Sequence, residues 1–199
     1  MSQTQLTRAD LWSLEAYSEK RAAFKAEVLE HKRNRRIALG DHVLLLFEDV
    51  TTIRYQIQEM LRIEKVFESA AIQEELDAYN PLIPDGSNWK CTLLIAYDDP
   101  DERKRRLEAL LGVEERIWLQ IGSEERVFPI ADEDLKRSRD NKTSSVHFLR
   151  YELSSAMVSA IRAGAPMSAG VDHPAYPVSG MEVADAVSHA LAQDLAVAG

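Results

Sequence analysis

The spacing of apolar positions changes period several times along the chain, and each change marks an element. Over residues 7–35, Leu11, Leu14, Ala22, Phe24, Val28 and Leu29 recur at helical spacing behind Thr7 or Asp10 as cap. Ser13 and Ser18 are the points at which this stretch would divide into two helices. The period then shortens. Residues 36–39 and 42–48 read as strands joined by Gly40-Asp41, a two-residue hairpin signal. Helical spacing returns at Ile53, Ile57, Met60 and Leu61, behind Thr51 or Thr52 with Asp49 as a further cap. It returns again at Ile72, Leu76 and Tyr79 behind Ser69, until Asn80-Pro81 ends the helix. Residues 81–88, with Pro81, Pro84, Asp85, Gly86, Ser87 and Asn88, read as a loop.

The second half follows the same logic. Residues 90–97 are apolar at almost every position and read as a central strand. Asp98-Asp-Pro-Asp101 opens a helix that runs to Leu111 and stops at Gly112. Residues 116–121 and 125–130 flank Gly122-Ser123 as a second hairpin, and the polar stretch 132–143 reads as an exposed loop or short helix. Alternation over 145–153 predicts a strand, 154–162 a helix, 164–170 a small-residue linker, and 171–176 a short strand or loop. Residues 182–197 form an Ala-rich closing helix with Val183, Ala186, Val187, Ala190 and Leu191 on one side. The expected fold is α+β, a mainly antiparallel sheet of about six strands with flanking helices. One domain is expected over residues 1–199, with 1–35 as a helical arm and 171–199 as a closing loop and helix.

Charge narrows the partners. The 33 acidic and 24 basic side chains give a net charge of -9, the wrong sign for a general nucleic-acid or anionic-membrane binder. The distribution is uneven: residues 1–40 carry eight Lys/Arg against five Asp/Glu, the remainder 16 against 28. Lys32, Arg33, Arg35 and Arg36, next to His31, are read as a solvated helix end whose cations complement the helix dipole, in preference to a phosphate or RNA contact. No apolar run is long enough for a membrane helix, and residues 1–10 lack a signal-peptide core. Cys91 is the single cysteine, so no internal disulfide forms. It shares a strand face with Leu93, Ile95 and Tyr97 and is expected to be buried and inert. The expected compartment is a reducing cytoplasm.

The usual catalytic signatures are missing: no GxGxxG, P-loop, GxSxG, HExxH or Cys pair occurs, and no Glu stands three residues before a His. The densest polar segment is 54–64, followed by Glu74, Glu75 and Asp77. In an antiparallel helix pair, Glu59, Arg62 and Glu64 could approach Glu74 or Glu75 and serve as general base or hold a divalent metal, but an ion-pair lattice such as Glu59 with Arg62 is the favoured reading. His31, His42 and His189 are expected at the surface, and His147 as a satisfied, half-buried strand residue. Asp172-His-Pro-Ala-Tyr176 puts an acid, an imidazole and a phenol in one Pro-held loop, where His173 could be a base or metal ligand and an ordinary turn is the favoured alternative.

Gly40, Phe47-Glu48, Arg54-Tyr-Gln-Ile-Gln-Glu-Met-Leu-Arg62 with Glu64, and Glu75-Leu-Asp-Ala-Tyr-Asn-Pro81 running on to Pro84 together resemble the bacterial domain-of-unknown-function 3501 family. Asp172–Tyr176 and Leu191-Ala-Gln-Asp-Leu195 extend the resemblance over nearly the whole chain. The family has no established activity. The resemblance implies gene neighbours of the rubrerythrin-like and iron-sulfur oxidoreductase kinds, hence a link to redox or oxidative-stress systems. The expected function is a non-catalytic accessory or ligand-binding protein with redox protein partners, and a homodimer is one possible state. The alternative is a small metal-dependent or acid-base enzyme with a Glu/Arg/His pocket. Candidate ligand-binding residues are Arg54, Gln58, Glu59, Arg62, Glu64, Glu75, Tyr79 and Asn80. Candidate ligands of a divalent metal are Glu59, Glu75 and His173.

Overall fold

The computed structural model describes residues 3–139 and 141–196. Its elements run α1 (Leu14–Arg33), β1 (Arg36–Leu39), β2 (Val43–Phe47), α2 (Val50–Glu64), α3 (Ser69–Tyr79) and β3 (Asn88–Ile95). They continue with α4 (Pro100–Ala109), β4 (Ile117–Ile121), β5 (Ile130–Ala131), β6 (Val146–Glu152), α5 (Ser155–Arg162), β7 (Met167–Val171), β8 (Val178–Glu182) and α6 (Asp185–Ala192). The fold is α+β with antiparallel pairing throughout. The strands form two sheets, one of five in the order β1-β2-β3-β6-β5 and one of three in the order β4-β7-β8.

Among the described residues there are eight strands rather than about six, and the surplus lies in the second sheet, most of which the hydropathy pattern hides. The small-residue stretch expected to be a linker is β7, buried along most of its length. At its Gly170 the Trp118 indole of β4 leaves no room for a side chain. A Cβ on Gly170 would sit 2.4 Å from that ring, and one on Gly180 of β8 would sit 2.8 Å away. Residues 125–130 form no continuous strand: Val127 bridges Leu119, and only Ile130–Ala131 joins the five-stranded sheet. Ser13 caps a single long helix instead of dividing one, accepting the Ala16 N–H at 3.2 Å, and the residues before it are a short turn and extended chain. The closing helix ends at Ala192.

Strand alternation positions the core. Ile37, Leu39, Leu45, Phe47, Trp89, Leu93 and Tyr151 face inward from the five-stranded sheet and pack on Ile117, Leu119, Met167 and Val171 of the other sheet and on α4–α6. Tyr151 donates its hydroxyl to the Ile117 carbonyl (3.2 Å), and the Trp89 indole donates to the Leu191 carbonyl (2.9 Å), so the core satisfies its polar atoms. Cys91 lies on this inner face, and burial pushes its thiol pKa up, in keeping with an inert thiol. The outer face carries Leu44, Leu46, Thr92, Leu94, Val146 and Phe148, all half-buried. A second apolar cluster joins α2 and α3 around Ile53, Ile57, Leu61 and Leu76, and a third joins α1 to Trp12 and Tyr55.

Candidate functional site

The end of α3 and the turn after it overhang one end of the outer sheet face and leave a groove of about 760 Å3. Tyr79, Pro81 and Leu82 form one wall, and Phe148 lies on the opposite, sheet side. Its charged lining residues are Glu48, Asp77, Lys90, Glu133, Asp134 and Arg150. Arg150 on β6 is taken up by a two-pronged bond to Glu133 (2.7 Å each) and a further contact with Glu152. Arg137 closes on Asp134 and lies 4.4 Å from the Phe148 ring centre, over its face. Glu48 and Lys90 behave differently. They are cross-strand neighbours, since Phe47 pairs with Cys91 and the Glu48 N–H donates to the Lys90 carbonyl (2.8 Å). Their side chains nevertheless form no ion pair with each other. Glu48 accepts the hydroxyls of Thr52 (2.6 Å) and Thr92 (2.9 Å), while Lys90 Nζ donates to the Pro81 carbonyl (2.6 Å). Burial lowers the Lys90 pKa. Two opposite charges therefore line one apolar groove, each without an ionic partner among the described residues.

The residues singled out in the sequence are placed in several surroundings. Glu59 turns away from α3 toward α1, where it accepts the Tyr17 hydroxyl (2.6 Å) and a two-pronged bond from Arg21 (2.7 and 2.9 Å), with Arg62 at 3.3 Å. These bonds, Arg21 first, hold its carboxyl at about 2. Arg54 stacks on Trp12, 4.1 Å from the ring centre. Gln58 and Asn80 bind the main chain of Trp12 and Leu6. Glu64 is exposed, and Glu75 has its pKa raised by partial burial and then by the charges of Glu64 and Glu74. Tyr79 is the member of the set that reaches the groove. His173 is buried in the loop after β7, between the Leu111 carbonyl (3.2 Å) and the Ala175 N–H (3.2 Å). Tyr176 of the same loop donates to the Leu39 carbonyl (2.8 Å) and accepts the His42 N–H (3.1 Å), closing the Gly40 turn. Glu59, Glu75 and His173 do not converge. Among the described residues no group of three or more His, Cys, Asp or Glu side chains is arranged to hold a metal ion.

Two expectations about basic and imidazole groups change. Arg35 is 2% exposed rather than solvated, and it holds Asp194, Asp49 and the carbonyls of Phe47 and Glu48. His31 is half-buried against Asp49, and His42 stacks on Tyr97 at 3.9 Å. His147 is satisfied as expected but fully buried, between Asp132 (2.6 Å) and Thr143 (2.8 Å), with Glu114 and Ser138 completing the network. The order Asp132–His147–Thr143 looks like a nucleophile relay. Thr143, at 1% exposure, is closed to any substrate, and the network ties both ends of the 132–145 loop to β6.

The family model described as protein of unknown function (DUF3501) matches residues 5–195. The chain belongs to this family. A crystal structure described as a novel protein of unknown function from Burkholderia pseudomallei K96243 has a TM-score of 0.92 and 51% identity, covering 96% of this chain and 100% of that one. No curated protein matches. Glu48 and Tyr79 fall within the stretches that carry the family resemblance, whereas Lys90, Phe148 and Arg150 fall outside them. The sequence signal for Lys90 and Arg150 was the break in the outer-face pattern, where apolar Leu44, Leu94, Val146 and Phe148 give way to these two at the overhung end of the sheet.

Proposed function

We propose that this family member is a non-catalytic, ligand-binding accessory protein and that the sheet-face groove takes a small zwitterion with an apolar body. An apolar or aromatic amino acid is the simplest ligand of that kind. The observation that carries the reading is the Glu48–Lys90 pair: adjacent across β2 and β3, opposite in charge, and joined to other partners instead of each other. Lys90 would take the ligand carboxylate, Glu48 its ammonium, and Tyr79, Leu82 and Phe148 its apolar part. Pockets that combine apolar walls with a few placed polar groups are the usual form of a small-molecule site. Among the described residues no helix is long and apolar enough to cross a membrane. A cytoplasmic location, as the single cysteine suggests, and redox protein partners, as the resemblance implies, belong to the same reading, with co-purification of an iron or iron-sulfur protein as the expected outcome.

Calorimetric titration tests the ligand class. Phenylalanine should bind at least about tenfold more tightly than phenylacetate or phenethylamine, each of which lacks one charge, equivalent to about 1.4 kcal/mol. Lys90→Met should remove the advantage of the carboxylate and Glu48→Gln that of the amine. Equal or absent binding of all three compounds by the wild-type chain would refute the reading.

A further inference from the structure

Among the described residues two buried side-chain atoms have no hydrogen-bond partner, Arg54 Nε and Ser188 Oγ. Such atoms are rare in folded proteins, because each one costs stability. The Arg54 guanidinium is accounted for by its stack on Trp12. Ser188 has no such explanation. A helical serine commonly returns its hydroxyl to the carbonyl four residues back. Here that carbonyl, of Ala184, already accepts the N–H groups of Val187 (2.9 Å) and of Ser188 itself (3.1 Å). Alanine at this position would favour the helix more and leave nothing unpaired.

Ser188, 9% exposed, lines a cavity of about 580 Å3 between α5, the turn after it and α6. The cavity shares no lining residue with the sheet-face groove. Asp185, Ser188, His189 and Ala192 follow helical spacing and make one face of α6. Arg162, the last residue of α5, lines the cavity with them. Its Nη1 donates to the carbonyls of Ala192 (3.3 Å) and Leu195 (2.6 Å), which fixes the guanidinium at the wall. Among the described residues nothing takes its Nε and Nη2 donors. Gln193 donates its amide to His189 Nε2 (3.0 Å), so the neutral ring carries its proton on Nδ1.

We infer that this cavity binds a short-chain monocarboxylate, held by the Arg162 guanidinium and the Ser188 hydroxyl. The wall offers a guanidinium, a hydroxyl and an imidazole N–H, and oxygen acceptors satisfy all three. A carboxylate meets the edge of a guanidinium with two parallel bonds. Asp185 on the same face repels a second negative charge and so favours a monoanion over a phosphate dianion. Ala165, Pro166 and Ala192 give an apolar wall for a few carbon atoms. The site does not depend on what the sheet-face groove binds.

Nuclear magnetic resonance titration of the full chain with propionate tests this. Saturable shifts should fall on the amides of residues 161–165 and 185–193. Propionamide, which has no charge, and inorganic phosphate above its second pKa should each bind at least about tenfold more weakly. Ser188→Ala should weaken propionate at least about tenfold, while the melting temperature of the ligand-free variant stays level or rises, because an unpaired hydroxyl has been removed. A lower melting temperature with unchanged propionate binding would make the hydroxyl structural and overturn the proposal. Shifts scattered over the surface would overturn it too, as would propionamide or phosphate binding as tightly as propionate.

Discussion

Glu59 shows what a polar residue of this chain does when it is not in the groove. Its carboxylate joins α1 to α2 through Tyr17 and Arg21, and its pKa falls from the ordinary 4.5 to about 2. A carboxyl with a lowered folded-state pKa adds stability above its unfolded value, and that stability is lost as pH falls from 4.5 toward 2. Denaturant titrations across that range should show wild type losing stability more steeply than Glu59→Gln, and parallel curves would contradict the assignment. Tyr176 makes a companion case. Tyr176→Phe should cost about 1 kcal/mol, read as a shift in the urea midpoint, because the Leu39 carbonyl and the His42 N–H lose their shared hydroxyl. At this scale the sequence was half legible. It marked Glu59, Gln58, Asn80 and His173 as unusual polar residues, but a side chain's partner depends on tertiary contacts far along the chain. Asn80 and Leu6 are 74 residues apart, and Tyr176 and Leu39 are 137 apart.

Among the elements, those with strong periodicity could be read directly, including the β1–β2 hairpin, α2 with its Asp49 cap, β3 and β6. In the three-stranded sheet β4 could be read as well, but β7 and β8 could not, since their Gly170 and Gly180 lie under the Trp118 indole. A glycine there looks like a linker in sequence and is a clearance in space. Gly170→Ala should destabilise the fold by about 1–3 kcal/mol, because the new Cβ meets both the indole ring and the Val178 carbonyl oxygen. Thermal unfolding of the variant checks this, and an unchanged melting temperature would show that β4 can move off β7. Residues 132–143 were expected to be an exposed loop or short helix, and about half of the described side chains there are exposed, yet Asp132 and Thr143 tie the stretch to buried His147.

For the molecule as a whole, Arg35 is the tie between distant parts. It joins the β1–β2 hairpin and the start of α2 to Asp194 in the chain segment after α6. Arg35→Leu would leave Asp49 and Asp194 facing each other without their shared cation, at a cost of about 3–5 kcal/mol. Calorimetry should show one cooperative transition for the wild-type chain, at a lower temperature in Arg35→Leu, as expected if residues 1–199 fold as one unit. The basic run that includes Arg35 was read as solvated, because a cluster of like charges gives no sign of which member turns inward. The groove was the least legible feature, since it exists only where α3 and its following turn overhang the sheet. Nuclear magnetic resonance mapping of phenylalanine binding tests its role most directly. The account predicts saturable shifts confined to the amides around Glu48, Lys90, Tyr79 and Phe148, and their loss in Lys90→Met. Shifts elsewhere, or none at millimolar ligand, would contradict it.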